Sequence, residues 1–108
     1  MIKIKNEEEL NKFISGEGVR CVKFGAQWCG PCRVLENTIK QYINEYEPTD
    51  VEFAEIDVDE ADETLAESYN IKNIPVTVFF KNGLITNKVV GLTTKPDLHK
   101  IIEEIRLK

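Results

Sequence analysis

Along this chain apolar positions alternate, recur every three or four residues, or cluster, and these patterns divide it into elements. Ile2 and Ile4 alternate with Lys3 and Lys5, the mark of a short edge strand with its charges outward. Asn6 offers an N-cap, and Glu7, Glu8 and Glu9 fill a first helical turn where negative charge is favoured. Leu10, Phe13 and Ile14 give that helix a buried stripe, and Gly16 can end it. Val19 to Gly25 reads as a strand, with Val22 and Phe24 on one side and Cys21, Lys23 and Gly25 on the other. Leu35, Ile39, Tyr42, Ile43 and Tyr46 have helical spacing and predict a long amphipathic helix that Pro48 stops.

The second half continues in the same way. Val51 to Asp57 is a strand, and Asp59 is placed to cap a helix through Tyr69 that packs on Leu65, Ala66 and Tyr69. Pro75 cannot donate to a ladder, so it belongs at the mouth of the apolar strand Val76 to Lys81. Asn82-Gly83 is a two-residue hairpin turn joining it to an antiparallel strand, Leu84 to Val90, which Gly91 ends. Thr94 and Asp97 have capping-box spacing, and Leu98, Ile101, Ile102 and Ile105 follow as the stripe of a last helix. His99 beside that stripe reads as a surface histidine. Strand and helix alternate, which gives parallel pairing with helices on both faces, and the hairpin adds antiparallel strands. The expectation is one α/β domain over residues 1–108, three layers deep, with a central mixed sheet of about five strands and four helices.

Composition narrows the function. A net charge of −5 argues against nucleic acid or an anionic membrane as partner. No apolar run is long enough to span a bilayer, and the first residues lack the apolar core of a signal peptide, so a cytoplasmic protein is expected. Three cysteines, an odd number, do not make a disulfide framework. The acidic runs at Glu7 to Glu9 and Asp57 to Glu63 read as solvated helix starts and not as metal sites.

The candidate chemistry lies in Trp28-Cys29-Gly30-Pro31-Cys32, ahead of the long helix. Gly30 lets the backbone turn closely, and Pro31 suits a first helical turn, where its missing N–H is not needed. Two thiols at this spacing can close a disulfide when the second opens a helical turn. The N–H groups and positive dipole end of the helix stabilise an anion, so a thiol there is more easily a thiolate. Cys29, ahead of the helix, should be the exposed, reactive sulfur, and Cys32, one turn in, the shielded one. Half of a zinc site is the alternative, but zinc needs about four ligands and only Cys21 and His99 remain. A pair left over in a purely binding domain is the other alternative.

These five residues match the active-site motif of thioredoxins, and the chain resembles that family over nearly its whole length. Phe24, Ala26, Ile74-Pro75, Phe80-Lys81-Asn82-Gly83 and Val90-Gly91 also match. The resemblance implies the thioredoxin fold and protein disulfide reduction, with Cys29 as nucleophile, Cys32 as resolving thiol and no bound cofactor. It implies a cis bond at Ile74–Pro75, which the residues alone would not select, since trans is the commoner X–Pro state. It also implies a surface that receives an extended substrate segment, made by Trp28, Gly30, Pro31, Ile74, Pro75, Val90 and Gly91. Protein disulfides are then the substrates, an NADPH-linked thioredoxin reductase the electron donor, and the chain a monomer. A disulfide oxidant or isomerase is the alternative among enzymes, and a groove that merely holds a partner is the alternative outside them.

Four positions depart from the family pattern. Lys23 stands where the family usually carries a buried aspartate, and Glu55 where it often carries a lysine. Lys23 lies between Val22 and Phe24 in what should be a central strand, where an unpaired charge is costly, so a partly buried Lys23–Glu55 pair is expected. Within that pair Glu55 is expected to take the Cys32 proton while Lys23 orients it, the competing view being that Lys23 acts by its field alone. Gly25 replaces a common aromatic residue, so a less packed shoulder is expected. Asn37 replaces a helix-kinking proline, so a straighter long helix is expected. Cys21 reads as a small core residue.

Overall fold

The computed structural model describes residues 1–108. Nine elements follow one another: β1 (Ile2–Lys3), α1 (Glu7–Ile14), β2 (Val19–Gly25), α2 (Gly30–Tyr46), β3 (Val51–Asp57), α3 (Glu63–Ser68), β4 (Val76–Lys81), β5 (Leu84–Val90) and α4 (Lys95–Arg106). The sheet has the order β1-β3-β2-β4-β5. β1, β3 and β2 are mutually parallel, whereas β4 is antiparallel to β2 and to β5. The central strand is therefore β2, with Lys23 in register between Glu55 on β3 and Thr77 on β4.

The alternation read in β2 sorts its side chains onto two faces. Val22 and Phe24 join Ala54, Ile56, Val76, Val78 and Phe80 in a core closed by α1 and α3, through Leu10, Phe13 and Leu65. Val19 and Cys21 join Phe53 and Phe79 in a second core closed by α2 and α4, through Leu35, Ile39, Tyr42, Leu98 and Ile102. Burying a large aliphatic side chain in such a core contributes about 1.5–3 kcal/mol.

The local signals act where the sequence places them. The Asn6 side chain accepts the Glu9 N–H at 2.8 Å, and the Thr94 hydroxyl accepts that of Asp97 at 3.2 Å. Asn82 and Gly83 both have positive φ, which an antiparallel two-residue turn requires. α2 is one continuous helix through the exposed Asn37.

Three local expectations are corrected. Asp59 does not cap α3; the helix starts at Glu63 after Asp62, because the intervening residues form a turn in which the Asp59 N–H binds Asp57 Oδ1 at 2.9 Å. Ile43 and Tyr46 are more than a third exposed, and the buried stripe of α2 is Cys32, Leu35, Ile39 and Tyr42. His99 is not a free surface residue. Its ring stacks on Tyr46 with centroids 4.3 Å apart, and its Nδ1 is enclosed without a hydrogen-bond partner.

Candidate active site

β2 ends at Gly25, and Ala26, Gln27 and Trp28 carry the chain from the sheet to the start of α2. Cys29 is the N-cap, in an extended conformation, and its Sγ accepts the backbone N–H of Cys32 at 3.2 Å. A sulfur thus takes the capping place that an oxygen usually fills. Pro31 sits in the first turn, where no N–H is needed. One turn separates the two cysteines, their Cα atoms are 5.2 Å apart, and they form a disulfide.

Both cysteines are buried, Cys29 to 4% exposure and Cys32 to 2%. This corrects the expectation of an exposed Cys29. The disulfide turns its sulfur inward onto Cys32, and Val58 and Ile74 pack over the pair. Gly30 and Pro31 stay exposed at the tip.

The expected rim gathers around this pair. The Ile74–Pro75 bond is cis, and the Pro75 carbonyl accepts the N–H of Gly91 at 2.8 Å. That bond draws the loop after β5 to the loop before β4 and brings Val90 with it, 62% exposed. Trp28 is 69% exposed, yet its indole N–H donates to Asp59 Oδ2 at 2.7 Å. The backbone N–H and C=O of Ile74 have no partner in the protein.

Two rim residues escaped the sequence reading. Asp59, expected as a helix cap, orients Trp28; the available signal was an indole N–H in need of an acceptor. Leu92, exposed just beyond Gly91, extends the apolar rim, and its signal was an apolar residue following the glycine that ends a strand.

Behind the disulfide lies a cavity of about 350 Å³, lined in part by Cys32, Gly25, Lys23 and Glu55. Lys23 Nζ lies 3.8 Å from Glu55 Oε2, so the expected pair forms across β2 and β3. Lys23 is 6% exposed, while the Glu55 side chain is 22% exposed. The shoulder at Gly25 is not loosely packed, as its lack of a side chain had implied. A Cβ placed there would meet Cys32 Sγ at 3.1 Å, so the sulfur itself occupies the space. Cys21, two residues before Lys23 on the same face, is a free thiol in the apolar core, and burial pushes it well above the usual thiol range.

A Cys-Gly-Pro-Cys disulfide capping the helix after the central strand, facing a cis-proline, defines a thiol-disulfide oxidoreductase. The family model described as thioredoxin matches residues 1–104. The thioredoxin of Mycoplasmoides gallisepticum is 33% identical over 93% of this chain and 97% of its own length. That of Chlamydia pneumoniae is 36% identical over 96% and 98%. The solved structure of a mutant thioredoxin from Halobacterium salinarum superposes with a TM-score of 0.85 at 34% identity, covering 95% of this chain and 88% of that one. The chain belongs to the thioredoxin family. Members of the family are disulfide reductases that carry their redox group in the cysteine pair, without a cofactor; they act on protein disulfides and are recharged by a reductase.

Proposed function

We propose that the chain reduces protein disulfides with Cys29 as the attacking sulfur and Cys32 as the resolving one. The observation that carries this assignment is the cap of α2, where Cys29 Sγ already accepts the Cys32 N–H. In the dithiol state the same N–H and the helix N-terminus stabilise a thiolate on Cys29. That thiolate attacks one sulfur of a substrate disulfide and the other leaves as a thiol, giving a mixed disulfide. Cys32 then attacks Cys29 Sγ and releases the second substrate thiol.

Substrate enters as an extended segment over Trp28, Gly30, Pro31, Ile74, Pro75, Val90 and Gly91. The free N–H and C=O of Ile74 support this reading, since backbone pairing demands no particular substrate side chain. A thioredoxin reductase drawing on NADPH supplies the electrons, and the protein works as a monomer in the cytoplasm. In a coupled assay with such a reductase and a disulfide-bonded protein, Cys29→Ser falls to background. Cys32→Ser accumulates a mixed disulfide through Cys29. A Cys29→Ser, Cys32→Ser double variant that keeps the protein's biological effect would instead make it a binding module.

The oxidant reading draws on one observation, the cation of Lys23 behind Cys32, because a cation stabilises the thiolate and so the reduced form. The reduction potential against a reference dithiol decides between the two. A potential above the cytosolic glutathione poise would replace the reductant reading by the oxidant one.

A further inference from the structure

We propose that Lys23 is a positioning residue for the second half of the reaction, its ammonium serving as counter-ion first to Glu55 and then to the Cys32 thiolate, while Glu55 takes the Cys32 proton. The inference rests on the reductase reading and concerns only the resolution of the mixed disulfide, after it has formed.

The geometry is specific to Lys23. Its Cε lies 3.8 Å, and Cys32 Sγ 3.1 Å, from the one point where residue 25 would carry a Cβ. Only glycine leaves that point empty, so the lysine stem and the sulfur share the space. The Lys23 side chain is 8% exposed and lines the cavity; its ammonium makes no hydrogen bond to the protein, and its one partner, Glu55, is at 3.8 Å. A cation held this loosely at a cavity wall is free to take a nearer anion when one appears.

Electrical balance in the cavity points the same way. Lys3 and Lys23 flank Glu55 in register on β1 and β2, with Lys5 just beyond β1. α2 adds Arg33 and Glu36, and the end of β3 with its following turn adds Asp57 and Glu60. Cations and anions on this lining are equal in number. Most of these groups face solvent, but Cys32 and Lys23 are buried, so a thiolate at Cys32 is costly unless Lys23 serves as its counter-ion and a carboxylate takes the proton. Glu55, already beside the cation and partly open to solvent, is placed to accept it.

The step then balances. In the mixed disulfide Cys32 is a thiol and Cys29 is bonded to a substrate sulfur. The Cys32 proton passes to Glu55, and Lys23 pairs with the thiolate. Cys32 Sγ attacks Cys29 Sγ; the Cys29–Cys32 bond forms as the Cys29–substrate bond breaks. The electron pair of the broken bond leaves on the substrate sulfur, which takes a proton from solvent. Over the cycle the cysteine pair is oxidised by two electrons and the substrate disulfide is reduced by two. Glu55 returns its proton to solvent, and Lys23 returns to Glu55.

The test is the rate of mixed-disulfide resolution against pH, followed by rapid mixing, in Lys23→Met, Lys23→Arg and Glu55→Gln. In Lys23→Met the formation and the resolution of the mixed disulfide are timed separately. Resolution is about tenfold slower at neutral pH, with the midpoint moved up by about one pH unit. Lys23→Arg, which keeps the charge, restores most of the rate. Glu55→Gln slows resolution as well. A native pH profile in Lys23→Met, or an arginine variant as slow as the methionine one, would overturn the proposal. So would an unchanged profile in Glu55→Gln, or faster resolution, which would mean that Glu55 only screens Lys23. If Lys23→Met does not fold, Glu55→Gln still decides, because its side chain reaches solvent. Failure of the unaltered protein to form a mixed disulfide would count against the reductase reading instead.

Discussion

Cys21 and Cys32 lie against the same face of the sheet, and their surroundings could hardly differ more. Around Cys21 the face is apolar: Tyr42, Phe53, Phe79 and Leu98 close over it beneath α2 and α4. A few residues along β2, the same face carries Lys23 and Gly25, and there the packing gives way to a charged cavity with Cys32 at its wall. Burial alone keeps the first thiol protonated. The second is just as buried, but it has the Lys23 cation and the Glu55 carboxylate on the cavity beside it. The chemistry of a thiol in this protein is set by what the strand places beside it, while the strand itself stays regular across both regions.

The largest effect expected from probing this contrast is on stability at the apolar end. Ile102, on α4, is fully buried, and Ile102→Ala should cost about 2–5 kcal/mol and lower the melting temperature by about 8 °C or more. The pH profile of resolution should stay unmoved. A shifted profile in this variant would show that the two regions are coupled. At the other end Gly25→Ala places a methyl group 3.1 Å from Cys32 Sγ. Its cost, about 1–3 kcal/mol, should fall mainly on the oxidised form, where the sulfur is tied and cannot step aside. Melting the oxidised and reduced proteins side by side checks this; equal losses would mean that the crowding is relieved without the sulfur.

The smallest effect concerns ion pairs. The catalytic end encloses its pair, whereas the apolar end keeps its own at the rim, where the Arg106 guanidinium binds both carboxylate oxygens of Asp50 at 2.7 and 2.8 Å. That bond holds the Asp50 carboxyl below its ordinary range. A lowered folded value contributes stability above the unfolded value, near about pH 3.9, and loses it as pH falls through the folded one. Asp50→Asn should therefore cost less than about 1 kcal/mol at neutral pH, the half-exposed pair being screened by solvent. The difference from the native protein should vanish in acid, which denaturation midpoints at two pH values will show.

Much of this was legible from residue order. Alternation in Val19 to Gly25 correctly separated the two faces of β2, and the caps at Asn6 and Thr94 needed only local hydrogen bonds. Partners distant in sequence were harder to read. The acidic run from Asp57 to Glu63 offers several equivalent caps, and Asp59 is diverted from that role by Trp28, 31 residues earlier. His99 looks like a surface residue until Tyr46, on another helix, stacks over it. Cys29 is covered because Ile74 arrives from a loop beyond β3 and α3. The Lys23–Glu55 pair was legible because both residues interrupt apolar strands that had to lie side by side.

One bond links the docking rim to the margin of the sheet. The Gly91 N–H to Pro75 C=O contact is the clasp between the end of β5 and the loop that presents Ile74. β5 is an edge strand, paired with β4 alone, so this margin opens more readily than the strands inside the sheet. The shape that a substrate meets is therefore fastened to an edge strand. Whatever steadies or loosens that margin, even far from sulfur, changes how firmly the mouth of the site is held.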